Sequence, residues 1–369
     1  MIPAAAAAWV FRGALPYFFA QDDFLGLARA RGLAPPLALP WRWISGQLYF
    51  ELMRPFGIAS ATPYHLVSVL AHAATAALLA LLLARRVSLP AALAGAVYFA
   101  AHPSLYTALY SVSGIGEILS ALFVLLTLLL ADRPGNARWL AAPAFAAALL
   151  CKESVLLLPL ALLAGRARVT PSFVGARQPL IAIPKDLSWA LAAVAAGVAA
   201  WLFASDVFAV RTGLASRAPY AFSLDGHMFA NAATYLGWAV QPWLILARGF
   251  QDAVDPAVLP AAALGAGLWL AGLAWPRLRP GLWWSGAVLF SCLLAPVLPL
   301  RNHTYHYYLY APLIGISCCL AALFDALLTA AKPALEGRLA WAAALGATAL
   351  FIWNGAAFVR EIETHPFTD

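Results

Sequence analysis

The chain alternates long apolar stretches with short polar or basic punctuation from one end to the other. Stretches near 64–83, 88–101, 115–131, 187–204, 257–275, 283–300, 308–330 and 338–357 carry no sustained polar face. Helices apolar all round belong in lipid or inside a bundle, and about 20 such residues span a bilayer. The pattern predicts an all-α polytopic membrane protein forming a single domain over 1–369. Two stretches depart from simple spans. Residues 139–165 are interrupted by Lys152-Glu153-Ser154, which predicts a hairpin of two short helices whose irregular turn lines a cavity. Residues 228–246 carry Asn231, Tyr235, Gln241 and Pro242, which predicts an in-plane or partly inserted helix within an external loop over 205–256.

Composition sharpens this picture. Hydrophobic residues make up 63% of the 369 and charged residues 11%, with a mean hydropathy of +0.80; soluble domains carry about 25% charged residues, so an ordinary soluble fold is excluded. The net charge of +7 does not imply nucleic acid, because Lys and Arg fall in short clusters between apolar runs and form no basic stripe. Such clusters mark cytoplasmic loops. Arg85-Arg86, Arg133 with Arg138, the group Arg166, Arg168, Arg177 and Lys185, Arg277 with Arg279, and Lys332 with Arg338 would then all lie inside. That map gives about eleven crossings, an internal N-terminus and an external C-terminus. The opening run "IPAAAAAWVFRGALPYFF" leads into an acidic pair and not into a small-residue processing site. Its Arg12 implies either a tilted helix with Arg12 near the outer headgroups or a chain that begins further upstream. Cys151, Cys292, Cys318 and Cys319 lack metal-site or disulfide-scaffold spacing and read as packing residues.

The same map gathers the unusual polar residues on the external face: Asp22-Asp23, Arg42, His65, His102, Glu117, Lys152-Glu153 and the run "RNHTYHYYLYAP" at 301–312. Ionised groups near hydrocarbon are expensive and usually serve chemistry or ion pathways. The first external loop, 22–63, interleaves Trp41, Trp43, Tyr49 and Phe56 with Arg42 and Arg54, a composition suited to helices lying in the interface.

Five fragments occur in order: "QDDF", "WRWIS" followed by "PYHLVSVLAHAATAALL", "FAAHPSLYTALYSVSGIGEILSALF", "LLCKESVLLLPLALL" and "HYYLYAPLIGIS". Together they resemble the GT-C class of membrane glycosyltransferases, in its protein O-mannosyltransferase-like branch that includes the transmembrane-and-TPR-repeat mannosyltransferases and bacterial relatives. The resemblance covers most of the chain. It departs at Gly114-Ile115-Gly116, since relatives often carry Arg just before the acid matched by Glu117, and no TPR repeats are present. It implies a GT-C-like bundle and transfer of a sugar, mannose or similar, from a polyprenyl-phosphate carrier to a protein, lipid or glycan acceptor at the extracytoplasmic surface, with inversion. A bacterial inner (cytoplasmic) membrane location, with the site facing the periplasm, suits the Ala-rich helices and many Trp.

Inversion needs a base on one side of the sugar and a stabilised leaving phosphate on the other. By resemblance Asp22 is the first choice for base, with Asp23 second or orienting; the bland alternative for both is a helix cap. Lys152 is the candidate cation for the phosphate, and Arg301, His303, His306 and Tyr310 are candidates for phosphate or sugar. Arg42, His102, Glu117 and Glu153 complete the candidate binding set. The alternatives are a Lys152-Glu153 self-neutralising pair, a structural His102, a packing network around Glu117, and an aromatic belt for Tyr305, Tyr307, Tyr308 and Tyr310. His72 reads as a satisfied buried histidine. No nucleotide-binding or paired-cysteine motif occurs, so no cofactor is implied. The acidic pair leaves room for a divalent cation, but adjacent carboxylates without a matched His argue poorly for one. The rival reading is a transporter or flippase for a lipid-linked or small anionic substrate, against which stand the lack of an internal repeat and the gathering of charge at one face. A noncatalytic assembly subunit is the third reading.

Overall fold

A computed structural model of the chain describes residues 1–166, 185–204, 221–245, 256–275, 278, 280–330 and 336–364. Among these residues every regular element is helical. The helices are α1 (Ile2–Val10), α2 (Asp22–Ala30), α3 (Tyr49–Met53), α4 (Thr62–Ala84), α5 (Leu89–Ala100), α6 (Tyr106–Tyr110), α7 (Ile115–Ala131), α8 (Ala141–Cys151), α9 (Leu158–Arg166), α10 (Lys185–Ala204), α11 (His227–Val240), α12 (Val258–Ala274), α13 (Pro280–Leu294), α14 (Leu313–Ala330) and α15 (Glu336–Glu363). Arg168, Arg177, Arg211, Arg217, Arg277, Arg279 and Lys332, and most of loop 205–256 outside α11, lie outside the described residues.

Among the described residues five helices are long and apolar enough to cross a membrane: Thr62–Ala84, Val112–Ala131, Lys185–Ala204, Leu313–Ala330 and Arg338–Glu363. Helix length shows these five of the roughly eleven expected crossings. The segments Leu89–Ala100, Glu153–Ala164, Val258–Gly272 and Gly281–Val297 are apolar but shorter. The opening run is shorter still, because α1 ends at Val10 and a tight turn follows in which Arg12 bends back over the Trp9 ring. The span expected from 308 starts only at Leu313, since residues 306–309 form a separate tight turn. The hairpin at 139–165 is present as α8 and α9, parted at Lys152, whose extended backbone (φ −158°, ψ 130°) cannot continue a helix.

At the centre of the bundle, α4 packs on α5 and α7, and α7 on α8. Both chain ends close around α5, through α1 and α15, while α14 joins α5 to α13. Small residues set these distances. A Cβ on Gly286 would lie 2.6 Å from the Gly315 carbonyl oxygen, and one on Gly315 would lie 2.4 Å from that of Gly286. Such backbone contact favours helix pairing where lipid removes the hydrophobic drive between helices. Leu70 of α4, Phe203 of α10 and Trp353 of α15 are more than half exposed, an outer surface suited to lipid and not to water.

The bundle has two chemically different ends. Past the C-terminus of α7, Asp132 accepts from Arg85 (3.3 Å) and Arg86 (2.6 Å), and Arg138 pairs with Asp186. Glu117 sits at the other end of α7, whose 17 residues rise roughly 25 Å. A cavity opens beside it.

Candidate functional site

The cavity has a volume of about 670 Å³, within the range of roughly 300–1,000 Å³ usual for small-molecule sites. Its wall is drawn from α2, the 37–50 segment, the α6–α7 connection, the α8–α9 elbow and the 303–308 turn, closed by Ile245 and Ile362.

The two adjacent acids have different surroundings. Asp23 is fully buried. Its Oδ1 accepts from the Ser113 amide (2.6 Å) and the Ser111 hydroxyl (3.1 Å), and its Oδ2 from the amides of Ala20 (2.9 Å) and Val112 (3.2 Å). It ties the start of α2 to the α6–α7 connection. Asp22 opens the first turn of α2, is exposed and lies on the cavity wall. Just before it, Gln21 has φ 33°, and Arg42, also on the wall, has φ 44°; they are the two non-glycine residues of positive φ among those described. Backbone held in this region costs about 1–3 kcal/mol and clusters at functional sites.

The charges of Arg42, Glu117 and Lys152 on the wall are paired across the fold. Lys152, buried, contacts Glu117 of α7 at 2.7 Å. Glu153 accepts from Arg42 through Nε (2.8 Å) and through Nη2. Lys152 and Glu153 are therefore not a self-neutralising pair: each reaches a different partner, and Glu117 finds its cation across the bundle. A buried pair of this kind is stable only while both members remain. The Lys152 ammonium also lies 5.2 Å from the Tyr308 ring centre and 5.6 Å from that of Tyr307. Arg42 stacks beside Trp41. His303 completes this wall, bonded to the Tyr307 hydroxyl at 3.2 Å. Burial first, then the positive charges of Lys152 and Arg42, lower its imidazole to about 4, so it is neutral at pH 7.

The position before Glu117 is closely packed. A Cβ on Gly116 would lie 3.2 Å from Ser45 Oγ and 3.3 Å from the Cys151 carbonyl oxygen. The cation beside Glu117 comes from the elbow.

Of the candidates, Asp22, Arg42, Glu117, Lys152 and His303 come together at the wall. Four do not. His102 is buried against the Ala239 carbonyl and Ser104. His306 stacks on Tyr106 and bonds Thr107, one layer behind the wall. Tyr310 is buried with its hydroxyl on His72 Nδ1 (2.6 Å), while His72 Nε2 donates to the Ala100 carbonyl. Arg301 is at the surface, paired with Asp225 at 3.0 Å. Sequence reasoning missed Gln21, Arg29, Ser111 and Ser113 as wall residues, and read Tyr305, Tyr307 and Tyr308 mainly as a belt. The serines stood in "LYSVSGIGE", where their short spacing just before Glu117 was the available signal. Among the described residues no group of three or more His, Cys, Asp or Glu is placed to hold a metal ion.

Chemically the cavity offers the accessible Asp22 carboxylate, the cations Arg29, Arg42 and Lys152, of which the last two are held by carboxylates, a neutral imidazole and several aromatic faces. No family model, curated protein or solved structure matches the chain.

Proposed function

We propose that this is an integral membrane glycosyltransferase that takes a hexose, mannose or a close relative, from a polyprenyl monophosphate and passes it with inversion to a hydroxyl of a protein, lipid or glycan. The observation that carries the reading is the placement, around one cavity, of the accessible Asp22 carboxylate and of Lys152 and Arg42, each held by a carboxylate from another segment. The resemblance to GT-C enzymes adds the substrate class.

In the proposed step the acceptor oxygen attacks the anomeric carbon and its proton passes to Asp22. The bond from that carbon to the phosphate oxygen breaks, and its electron pair leaves with the polyprenyl phosphate. Lys152 and Arg42 stabilise the charge that collects there, as preorganised cations in a partly desolvated site do. Aromatic faces at Trp41, Tyr305 and Tyr307 offer apolar surface to the sugar ring. In this reading the shorter apolar helices complete a multi-pass bundle of about eleven crossings in a bacterial inner membrane, with the basic end cytoplasmic and the cavity periplasmic.

The test is turnover by purified protein in nanodiscs with a panel of radiolabelled polyprenyl-monophosphate hexoses and a mixed pool of peptide, lipid and glycan acceptors. Labelled product with stoichiometric release of polyprenyl phosphate supports the reading. No transfer from any donor, with translocation of the same donor across liposomes, would replace it by transport.

A further inference from the structure

Three consecutive residues of the elbow engage two other parts of the fold, the 37–50 segment through Cys151 and Glu153 and α7 through Lys152. The Cys151 carbonyl accepts from Ser45 Oγ (2.7 Å), Lys152 meets Glu117, and Glu153 turns the other way to Arg42. Arg42 lines the cavity, whereas Glu153 stands behind it and is not part of the wall. Glu153 grips the Nε–Nη2 edge of the guanidinium from 111 positions away in sequence. A long arginine otherwise samples many rotamers; a two-point carboxylate fork fixes both the plane and the direction of its head. The left-handed backbone at Arg42 points to the same constraint, since that conformation persists in a non-glycine residue only where surrounding contacts over-determine it.

We infer that Glu153 is a positioning residue: it touches no substrate, and it holds the Arg42 guanidinium edge-on so that Arg42 meets the donor's phosphate in a fixed geometry. The inference rests on the reading of the cavity as the donor site. It also moves Glu153 out of the candidate binding set. Lys152 and Glu117 form the second pair with the roles exchanged, so the elbow supplies the carboxylate that holds Arg42 and the cation that Glu117 holds.

The test is a double-mutant cycle on the full-length protein in nanodiscs, titrated with a polyprenyl monophosphate that carries no sugar. Glu153→Gln is expected to weaken binding about tenfold; Arg42→Gln is expected to weaken it at least as much. The double variant should be no worse than Arg42→Gln alone, because a residue acting only through Arg42 has nothing left to position. It also removes both charges together, which guards against a folding failure caused by one orphaned ion. Glu153→Asp should recover part of the loss. In turnover, Glu153→Gln should lower kcat as well as raise KM, because Arg42 also stabilises the charge that develops on the leaving phosphate. Binding by Glu153→Gln equal to wild type, or losses that multiply in the double variant, would overturn the inference while leaving the donor site standing. A wild-type protein that does not retain polyprenyl phosphate would overturn both.

Discussion

Replacing Asp23 by Asn should destabilise the protein far more than the same change at Asp22, although the two are neighbours and chemically identical. Each carboxylate oxygen of Asp23 accepts two hydrogen bonds, from the Ser113 amide and Ser111 hydroxyl on one side and from the Ala20 and Val112 amides on the other. An Asn side chain keeps one acceptor oxygen and presents an NH₂ on the other side; turned toward Ser111 and Ser113, the NH₂ can donate to the Ser111 hydroxyl but faces the Ser113 amide donor. Bonds to a charged acceptor contribute about 1.5–3 kcal/mol each, so losing at least one and leaving the others on a neutral acceptor costs roughly 1.5–3 kcal/mol or more. Asp22 is exposed in the first turn of α2, where a carboxylate gains about 0.3–1 kcal/mol from the helix dipole. Its neutralisation should cost no more than that. Thermal unfolding in one detergent, followed by tryptophan fluorescence for wild type and both variants, reads the difference. Equal midpoints for the two variants would refute the division of labour between the acids.

Lys152→Met should lose about 3–5 kcal/mol of stability by orphaning Glu117 in a buried site, and adding Glu117→Gln should recover much of it in the same assay; additive losses would contradict the pairing. His303 titrates near 4 in the folded protein against 6.5 in the unfolded chain, so its neutral form stabilises the fold above pH 6.5 and that contribution is lost as pH falls toward 4. Wild type should therefore lose stability across that window more steeply than His303→Gln, measured by unfolding midpoint against pH. Arg301→Gln should change stability by about 0–1 kcal/mol and leave turnover unchanged, because its partner Asp225 and the pair itself are at the surface; a large loss of turnover would bring Arg301 back to the site.

Much of this architecture was legible in the sequence. The apolar runs gave the helices of the core, and the polar break at Lys152 gave the elbow, because a charged pair inside an apolar segment forces the backbone to turn where water or a partner can reach it. The isolated acid at Glu117 was legible as needing a partner across the bundle or a proton, and the structure supplies Lys152. Helix length was less legible: the run before Leu313 is as apolar and aromatic as a span, yet it is spent on an extended Tyr305 and a tight turn. That geometry also sorted the histidines and tyrosines in a way spacing alone does not reveal, sending His303, Tyr305, Tyr307 and Tyr308 to the cavity and His306 and Tyr310 behind it. The Arg42–Glu153 fork joins residues too far apart for any local pattern to report.

The most direct measurement is single-turnover sugar transfer by Asp22→Asn beside wild type, with binding of the polyprenyl-linked donor followed in parallel. Removing a general base should slow transfer by about 10²–10⁴-fold while donor affinity stays within a fewfold of wild type. Transfer at the wild-type rate would contradict the account, because among the described residues the other carboxylate on the cavity wall, Glu117, is buried against Lys152.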